Sequence, residues 1–131
     1  MSAGTILIAD DDRVFCEMLG TKLRNHGFAV VLAHDAVQAV KSAAKARPDA
    51  IVLDVKMPGG TGIEAIRQLK ISERTSAIPV IAVSAVDNPQ LPKVLKGLGA
   101  SEFIPKPVHF QTIHRVLRTM IDPGPDPAPA A

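Results

Sequence analysis

Short apolar runs alternate with segments of helical spacing five times along the chain. The inner apolar runs are continuously hydrophobic, as expected for strands that helices cover on both faces. Strands that alternate with helices form parallel sheets, so the pattern predicts an α/β fold with a doubly wound, five-stranded parallel sheet flanked by five helices. The predicted strands are residues 6–9, 28–33, 50–53, 78–83 and 103–104, and helical spacing is clear over residues 15–23, 37–44, 63–69 and 110–120.

Length and composition predict one domain with a cytoplasmic location. The chain has 131 residues, 47% of them hydrophobic, which is enough for a core. It has no apolar run of the roughly 18 residues that a membrane span needs, and its first residues are too short a stretch for a signal peptide. Its one cysteine, Cys16, lies among apolar residues, so we expect a buried thiol. Residues 1–121 are expected to form the domain, and the proline-rich residues 122–131 a disordered tail or the start of a linker.

The distribution of charge argues against nucleic acid as a partner. The net charge is +2 and the isoelectric point is near 8.9, but the basic residues are scattered and have no interleaved aromatic residues on which bases could stack. Four of the 13 acidic residues lie where two predicted strands end, namely Asp10, Asp11, Asp12 and Asp54. The charge pattern therefore indicates a site within the domain and argues against nucleic acid as a partner. The lack of a long apolar run argues against a membrane as a partner.

Three consecutive carboxylates end the first predicted strand, in the stretch ILIADDD. One aspartate is explained by helix capping, because helical spacing follows from Arg13 onward. Like charges repel, and a bound divalent cation is the simplest reason to concentrate three of them. On this stretch alone, a cation site and a capping loop are equally good interpretations.

Polar and charged residues also end the other strands near the middle of the predicted sheet. Asp54 ends the third strand, Ser84 follows the fourth, and the fifth leads to Lys106. Ligands of such sheets bind beyond the carboxyl ends of the strands, so these side chains are expected to meet Asp10 and Asp11 there. Carboxylates combined with phosphate oxygens suit Mg²⁺, and the hydroxyl and ammonium groups suit phosphate oxygens. These residues predict a magnesium site that stabilises a transferring phosphoryl group.

Several stretches resemble the receiver domain of bacterial two-component response regulators, namely ILIADDD, IVLDVKMPGGTG, VIAVSA and EFIPKP. The resemblance covers about residues 5–121 and includes the pattern Asp54, Met57, Pro58 and Gly62. It implies a flavodoxin-like strand order of 2-1-3-4-5. It also implies a phosphorylation-activated signalling switch, whose partners are a sensor histidine kinase or phosphotransfer protein and a downstream protein target.

The same resemblance implies that Asp54 accepts the phosphoryl group. It implies that Asp10 and Asp11 hold Mg²⁺ together with the Asp54 carboxylate and the backbone carbonyl of Lys56. Asp12 then serves as N-cap of the first helix, which assigns two of the three acids to the cation and one to the helix. Such a domain catalyses only its own phosphoryl transfer and dephosphorylation, so we do not expect an enzyme with a separate substrate.

Further roles follow from the resemblance. Ser84 is implied to be the switch hydroxyl, Lys106 to pair with the phosphoryl group, and Phe103 to be the switch aromatic residue. A cis peptide bond is implied between Lys106 and Pro107, and proline is the residue before which that isomer is accessible. Phosphorylation would bias a two-state equilibrium that partners read on the surface of the fourth helix, fifth strand and fifth helix.

Rival functions require residues that this chain lacks. A phosphatase with an aspartate nucleophile would have a second aspartate where this chain has Lys56, and the Gly-Lys-Ser or Gly-Lys-Thr of a P-loop is absent. The glycine-rich loop that binds a dinucleotide follows a strand. The GLG stretch at 97–99 precedes a strand, so it does not match that motif. The open alternative is a phosphorylation-independent, receiver-like interaction module, which the set of Asp54, Ser84 and Lys106 disfavours.

The fourth helix departs from the family pattern, because its segment contains Pro89, Pro92 and Gly97. Each proline disfavours helical backbone in the residue before it. The sequence therefore predicts a helix that starts at Pro92 and has about two turns before Gly99, which is marginal without packing. We expect this helix to be short and easily remodelled.

Overall fold

One parallel sheet of five strands lies at the centre of the computed structural model, which describes residues 3–56 and 62–121. The strands are β1 (Thr5–Ala9), β2 (Ala29–Ala33), β3 (Ala50–Asp54), β4 (Val80–Ser84) and β5 (Glu102–Pro105). Their order is β2-β1-β3-β4-β5, and every neighbouring pair is parallel. The predicted α/β class and strand order are confirmed.

Within the described part of the chain, five helices cover the two faces of the sheet. They are α1 (Arg13–Asn25), α2 (Ala36–Ala46), α3 (Gly62–Ile71), α4 (Leu91–Leu98) and α5 (Phe110–Ile121). Buried residues of α1 and α5 pack on one face, and those of α2, α3 and α4 pack on the other. None of these described helices has the length and apolar character needed to cross a membrane.

The strands contribute alternate side chains to the cores on the two faces. In β1, Leu7 and Ala9 belong to the core under α2, α3 and α4, whereas Ile6 and Ile8 belong to the core under α1 and α5. All four side chains are fully buried. A fully buried Leu or Ile side chain contributes about 1.5–3 kcal/mol. Burial on both faces explains why residues 6–9 of β1 are apolar without alternation.

The fourth helix is short, as predicted, but the predicted first residue was wrong. α4 begins at Leu91 rather than at Pro92, and Gln90 is its N-cap. Pro92 is tolerated in the first turn because the N–H groups there have no partner within the helix. Leu91 is only 8% exposed and joins the same core as Leu95, one turn later. Its burial therefore outweighs the preference of a residue before proline for extended backbone.

Other local predictions have mixed outcomes. Cys16 is buried, as expected. The peptide bond between Lys106 and Pro107 is cis, as the resemblance implied. Met57 and Pro58 of the family pattern and the tail predicted for 122–131 lie outside the described residues.

Candidate functional site

Three carboxylates converge at the carboxyl edge of the sheet. Asp54 ends β3, and Asp10 and Asp11 follow β1, whose Ala9 pairs with Leu53 in the register of the two strands. One oxygen from each of Asp10, Asp11 and Asp54 lies within 4.8 Å of the others. Asp10 is 1% exposed and Asp54 6%, whereas Asp11 faces solvent. The predicted convergence of the strand ends therefore holds for the three acids.

Lys106 places an ammonium group against two of these carboxylates. Its Nζ lies 2.8 Å from Oδ2 of Asp10 and 3.6 Å from Oδ2 of Asp54. The backbone N–H of Lys106 donates to the carbonyl of Ser84 at 2.9 Å, and this bond holds the Lys106 backbone beside the end of β4. The ammonium also lies 4.9 Å from the centre of the Phe15 ring, within range of a cation–π contact. Lys106 is thus held at the centre of the site.

Backbone amides hold the other oxygens of the two buried carboxylates. The N–H of Asp12 donates to Oδ1 of Asp10 at 2.9 Å, and the N–H of Lys56 donates to Oδ1 of Asp54 at 3.2 Å. In both residues Oδ2 is the oxygen that faces Lys106. The carboxylates are therefore oriented by the loops that follow β1 and β3.

The site carries more negative than positive charge, and the pKa of Asp54 reflects this. Burial, followed by the negative charge of Asp10, raises the pKa of Asp54 from 3.8 to about 6, against the opposing effects of the Lys56 amide and Lys106. Burial lowers the pKa of Lys106, but the hydrogen bonds and charges of Asp10 and Asp54 together raise it by more, so the net pKa is raised. Three carboxylates face one ammonium group, which is a favourable setting for a further cation.

The donor set fits Mg²⁺ in particular. Asp10, Asp11 and Asp54 offer only carboxylate oxygens, which are the hard ligands that Mg²⁺ prefers, and the set includes no sulfur or imidazole donor. Asp11 leaves one side of the group open to solvent. Mg²⁺ usually keeps several water molecules and binds few carboxylates, so a partly open site is suitable.

Ser84 and Phe103 occupy different surroundings. Ser84 ends β4 and is 1% exposed, and its Oγ accepts the N–H of Val86 at 3.0 Å. Phe103 pairs with Ala82 in the register of β4 and β5, and its partly buried ring packs on the core beneath α2, α3 and α4. Ser84 therefore lies at the same sheet edge as the carboxylates, whereas Phe103 lies on the sheet face that α4 covers.

Asp12 caps α1, as predicted. Its side chain accepts the N–H of Phe15 at 3.1 Å, while the backbone of Asp12 has the extended conformation of an N-cap. Helix capping therefore explains the third carboxylate of the ILIADDD stretch, and no bound cation is needed to explain it.

Gly62 begins α3 directly against the loop that follows Asp54. Its N–H donates to the carbonyl of Val55 at 2.7 Å. A Cβ atom on Gly62 would lie 2.5 Å from Cα of Val55 and 2.6 Å from the carbonyl oxygen of Asp54, both of them backbone atoms. The family pattern thus has a physical reason for glycine here, since any side chain would displace the backbone beside Asp54.

Two residues that contact the backbone of Asp10 were not predicted from the sequence. Cys16 Sγ lies 3.3 Å, and His34 Nδ1 3.1 Å, from the Asp10 carbonyl oxygen. Cys16 was expected to be buried but was given no role, and His34 was not singled out. The available signal was the position of His34 immediately after β2, beside the end of β1.

Comparisons with known proteins are consistent with this geometry. The family model described as the response regulator receiver domain matches residues 6–118. The chain is 37% identical over 118 residues to the response regulator MprA of Mycobacterium ulcerans (strain Agy99), covering 88% of this chain and 49% of that protein. It is 37% identical over 128 residues to MprA of Mycobacterium sp. (strain KMS), covering 92% and 54%. The chain therefore spans about half the length of these relatives.

Solved structures share the fold. The chemotaxis response regulator CheY4 of Vibrio cholerae superposes with a TM-score of 0.83 at 28% identity, over 92% of this chain and 98% of that chain. The receiver domain of the sensor histidine kinase PA1611 from Pseudomonas aeruginosa PAO1 superposes with a TM-score of 0.82 at 30% identity, over 90% and 97%. That structure has a magnesium ion coordinated in its active site cleft.

Proposed function

The chain belongs to the response regulator receiver domain family, and from this membership we propose that it is a switch phosphorylated on Asp54 by a histidine kinase or phosphotransfer protein. The observation that carries this proposal is the buried carboxylate of Asp54, held between the Lys56 amide and the ammonium of Lys106 beside two further acids. A structural ion pair would need one carboxylate for Lys106, whereas this site has three.

Asp54 is the nucleophile in the proposed reaction. A carboxylate oxygen of Asp54 forms a bond to phosphorus while the bond from phosphorus to the imidazole nitrogen of the donor histidine breaks, leaving that nitrogen with its electron pair. Because Lys56 already fixes Oδ1, the Oδ2 oxygen beside Lys106 is the better placed to attack. The other ring nitrogen of the donor histidine carries a proton, so the products are an aspartyl phosphate and a neutral histidine.

Lys106 and Ser84 are proposed to bind the transferred group. The ammonium of Lys106 lies 3.6 Å from the Asp54 oxygen, close enough to reach a phosphoryl oxygen attached there. The Ser84 oxygen accepts from Val86, and its hydroxyl has a proton to donate to the same group. Both donors would favour the phosphorylated state, which is the basis of a switch.

Asp10, Asp11 and Asp54 are proposed to hold Mg²⁺, together with the backbone carbonyl of Lys56. The ion would neutralise the charge that three carboxylates and a phosphoryl group concentrate in one place. Support comes from the oxygen-only donor set and from the magnesium-containing receiver domain of PA1611.

Output is proposed to pass through the surface of α4, β5 and α5 to a downstream protein. Phe103 links the phosphorylation site to α4. It lies on β5, close in sequence to Lys106, and it packs in the core that includes α4. α4 has only eight residues and an N-cap without a side-chain hydrogen bond, so little local structure opposes its movement. In this proposal the domain has no substrate other than its own aspartate.

The test against a phosphorylation-independent module uses beryllofluoride, a mimic of the phosphoryl group, with Mg²⁺. Amide resonances are recorded for the wild-type chain and for Asp54→Asn. A switch shows saturable shifts at Ser84 and Lys106 that Asp54→Asn abolishes. Glu73→Gln is the matched control, because it neutralises an exposed acid away from the site. Unchanged spectra at saturating beryllofluoride and Mg²⁺ would favour the interaction module.

A further inference from the structure

The backbone carbonyl of Asp10 is the acceptor for two side chains from separate elements. Cys16 Sγ, on α1, lies 3.3 Å from this oxygen. His34 Nδ1, in the loop between β2 and α2, lies 3.1 Å from it. The two donor atoms are 3.9 Å apart, so they approach the oxygen side by side. A carbonyl oxygen has two lone pairs and can accept both hydrogen bonds.

His34 must donate in this contact. A carbonyl oxygen has no proton to donate, so Nδ1 of His34 must carry the proton of this hydrogen bond. The ring is placed by its own backbone, because the N–H of His34 donates to Oε1 of Gln38 at 3.2 Å and the neighbouring Asp35 caps α2. The donor therefore comes from a loop that is itself held at the start of α2.

Cys16 is also a donor rather than a reactive thiolate. Its side chain is fully buried. Its Sγ lies 3.3 Å from the Asp10 carbonyl oxygen, which can only accept, so the thiol carries the proton of this contact. A protonated thiol can give a weak hydrogen bond to a carbonyl, whereas a thiolate would repel it.

The contacts leave Asp10 bound at every polar atom. Its N–H donates to the carbonyl of Ala33 at 3.0 Å, its Oδ1 accepts from Asp12, and its Oδ2 accepts from Lys106. A displacement of the backbone at Asp10 would break the bonds from Cys16 and His34 and would move the carboxylate that the same Cα carries. Residues that orient a metal-ligating side chain typically change metal affinity 10–100-fold when they are removed.

We propose that His34 and Cys16 are positioning residues, which clamp the Asp10 carbonyl and so hold the Asp10 carboxylate in the orientation that Mg²⁺ binding and phosphorylation of Asp54 require. This inference rests on the proposed function of the site. His34 is the more informative of the two, because it is only partly buried and can be replaced with little disturbance of the core.

The test compares His34→Ala with His34→Asn. The amide nitrogen of asparagine is separated from Cα by the same number of bonds as Nδ1 of histidine, so His34→Asn can restore the donor that His34→Ala removes. Cys16→Ala and Cys16→Ser form the corresponding pair on α1. His109→Ala is the control, since it removes an exposed imidazole.

Two quantities are measured, namely the Mg²⁺ dissociation constant and the Asp12 amide proton shift in metal-free protein. The Asp12 shift reports the hydrogen bond to Oδ1 of Asp10. We expect His34→Ala to weaken Mg²⁺ binding about tenfold and to move the Asp12 resonance upfield, and His34→Asn to restore both. We expect His109→Ala to match the wild type.

Equal Mg²⁺ affinity and Asp12 shift in His34→Ala and the wild type would overturn the clamp. Equal defects in His34→Ala and His34→Asn would also overturn it. Asparagine restores a hydrogen-bond donor and alanine does not, so equal defects would mean that His34 acts by packing alone. A wild-type chain that binds no Mg²⁺ would contradict the proposed function instead, and the metal-free Asp12 shift would still decide whether the clamp exists.

Discussion

Lys106 donates to Asp10 across 2.8 Å, although the two residues are 96 positions apart in the chain. The contact joins the ends of β1 and β5, which are separated in the sheet by β3 and β4. Asp10 is almost completely buried, so its carboxylate depends on this ammonium and on the N–H of Asp12 to compensate its charge. The same ammonium is within reach of Asp54, so one lysine links structural stability to the candidate reaction.

Removal of this ammonium should therefore destabilise the metal-free domain. We expect Lys106→Met to lower the free energy of unfolding by about 2 kcal/mol, less than for a fully buried pair because Lys106 is partly exposed. Added Mg²⁺ should recover part of the loss by compensating Asp10 and Asp54. Urea unfolding with and without Mg²⁺ measures both effects. Lys93→Met, at an exposed position of α4, is the control, and an equal loss in both variants would contradict the role of Lys106.

The raised pKa of Asp54 predicts a pH-dependent gain from Asp54→Asn. The folded pKa is about 6 and the ordinary value is 3.8, so the unfolded chain loses its proton first as the pH rises. Stability from this residue is therefore present below the ordinary value, decreases as the pH rises to about 6, and is lost above it. We expect Asp54→Asn to be about 1–3 kcal/mol more stable than the wild type at pH 7.5 without metal.

That gain should shrink as the pH approaches 4, where wild-type Asp54 is largely protonated. Thermal unfolding across this range, in buffer that contains a chelator, checks the sign. A gain in stability that stays constant with pH would show that the pKa of Asp54 is not raised in the folded protein.

Asp11 differs from its two partners because it faces solvent. We expect Asp11→Ala to weaken Mg²⁺ binding and to raise the melting temperature of the metal-free domain, because it removes one of three mutually repelling carboxylates. Melting curves with and without Mg²⁺ test both halves. A metal-free variant that is less stable than the wild type would argue that Asp11 is structural.

Two glycines offer a matched test of the loop beside Asp54. Gly62→Ala would force a Cβ atom to within 2.5 Å of the Val55 backbone, and we expect a loss of about 2 kcal/mol or more together with weaker Mg²⁺ binding. Gly97→Ala adds the same atom to α4, where no atom beyond its chain neighbours and the backbone of its own helix lies within 4 Å. It should stabilise the domain by roughly 0.5–1 kcal/mol, because alanine favours helix. Chemical unfolding of both variants decides the matter, and two equal effects would contradict the close approach at Gly62.

Much of the site could be predicted because parallel strands end at one edge. Asp10, Asp54 and Lys106 could be placed together from strand ends alone, without knowledge of the strand order. The role of Asp12 as a cap required only its position before a helical segment. These positions are predictable because local patterns, namely strand ends and helix starts, determine which residues share the edge.

Contacts that depend on packing could not be predicted in this way. The start of α4 at Leu91 depends on the room that the core offers this side chain, which opposes the local effect of Pro92. The approach of His34 to the Asp10 carbonyl depends on the path of the loop after β2 and on a ring orientation that no motif encodes. Phe15 over the ammonium of Lys106 is likewise a contact between distant segments.

Phosphorylation of Asp54 is tested most directly by incubation of the wild-type chain, Asp54→Asn and the control Glu73→Gln with acetyl phosphate, followed by intact-mass and fragment-mass spectrometry. We predict one added phosphoryl group on Asp54 in the wild type and in Glu73→Gln, no such addition when a chelator removes Mg²⁺, and none on Asp54→Asn. Phosphorylation of Asp54→Asn at the wild-type level, or of the wild type at a different residue, would contradict the assignment of Asp54 as the phosphoryl acceptor.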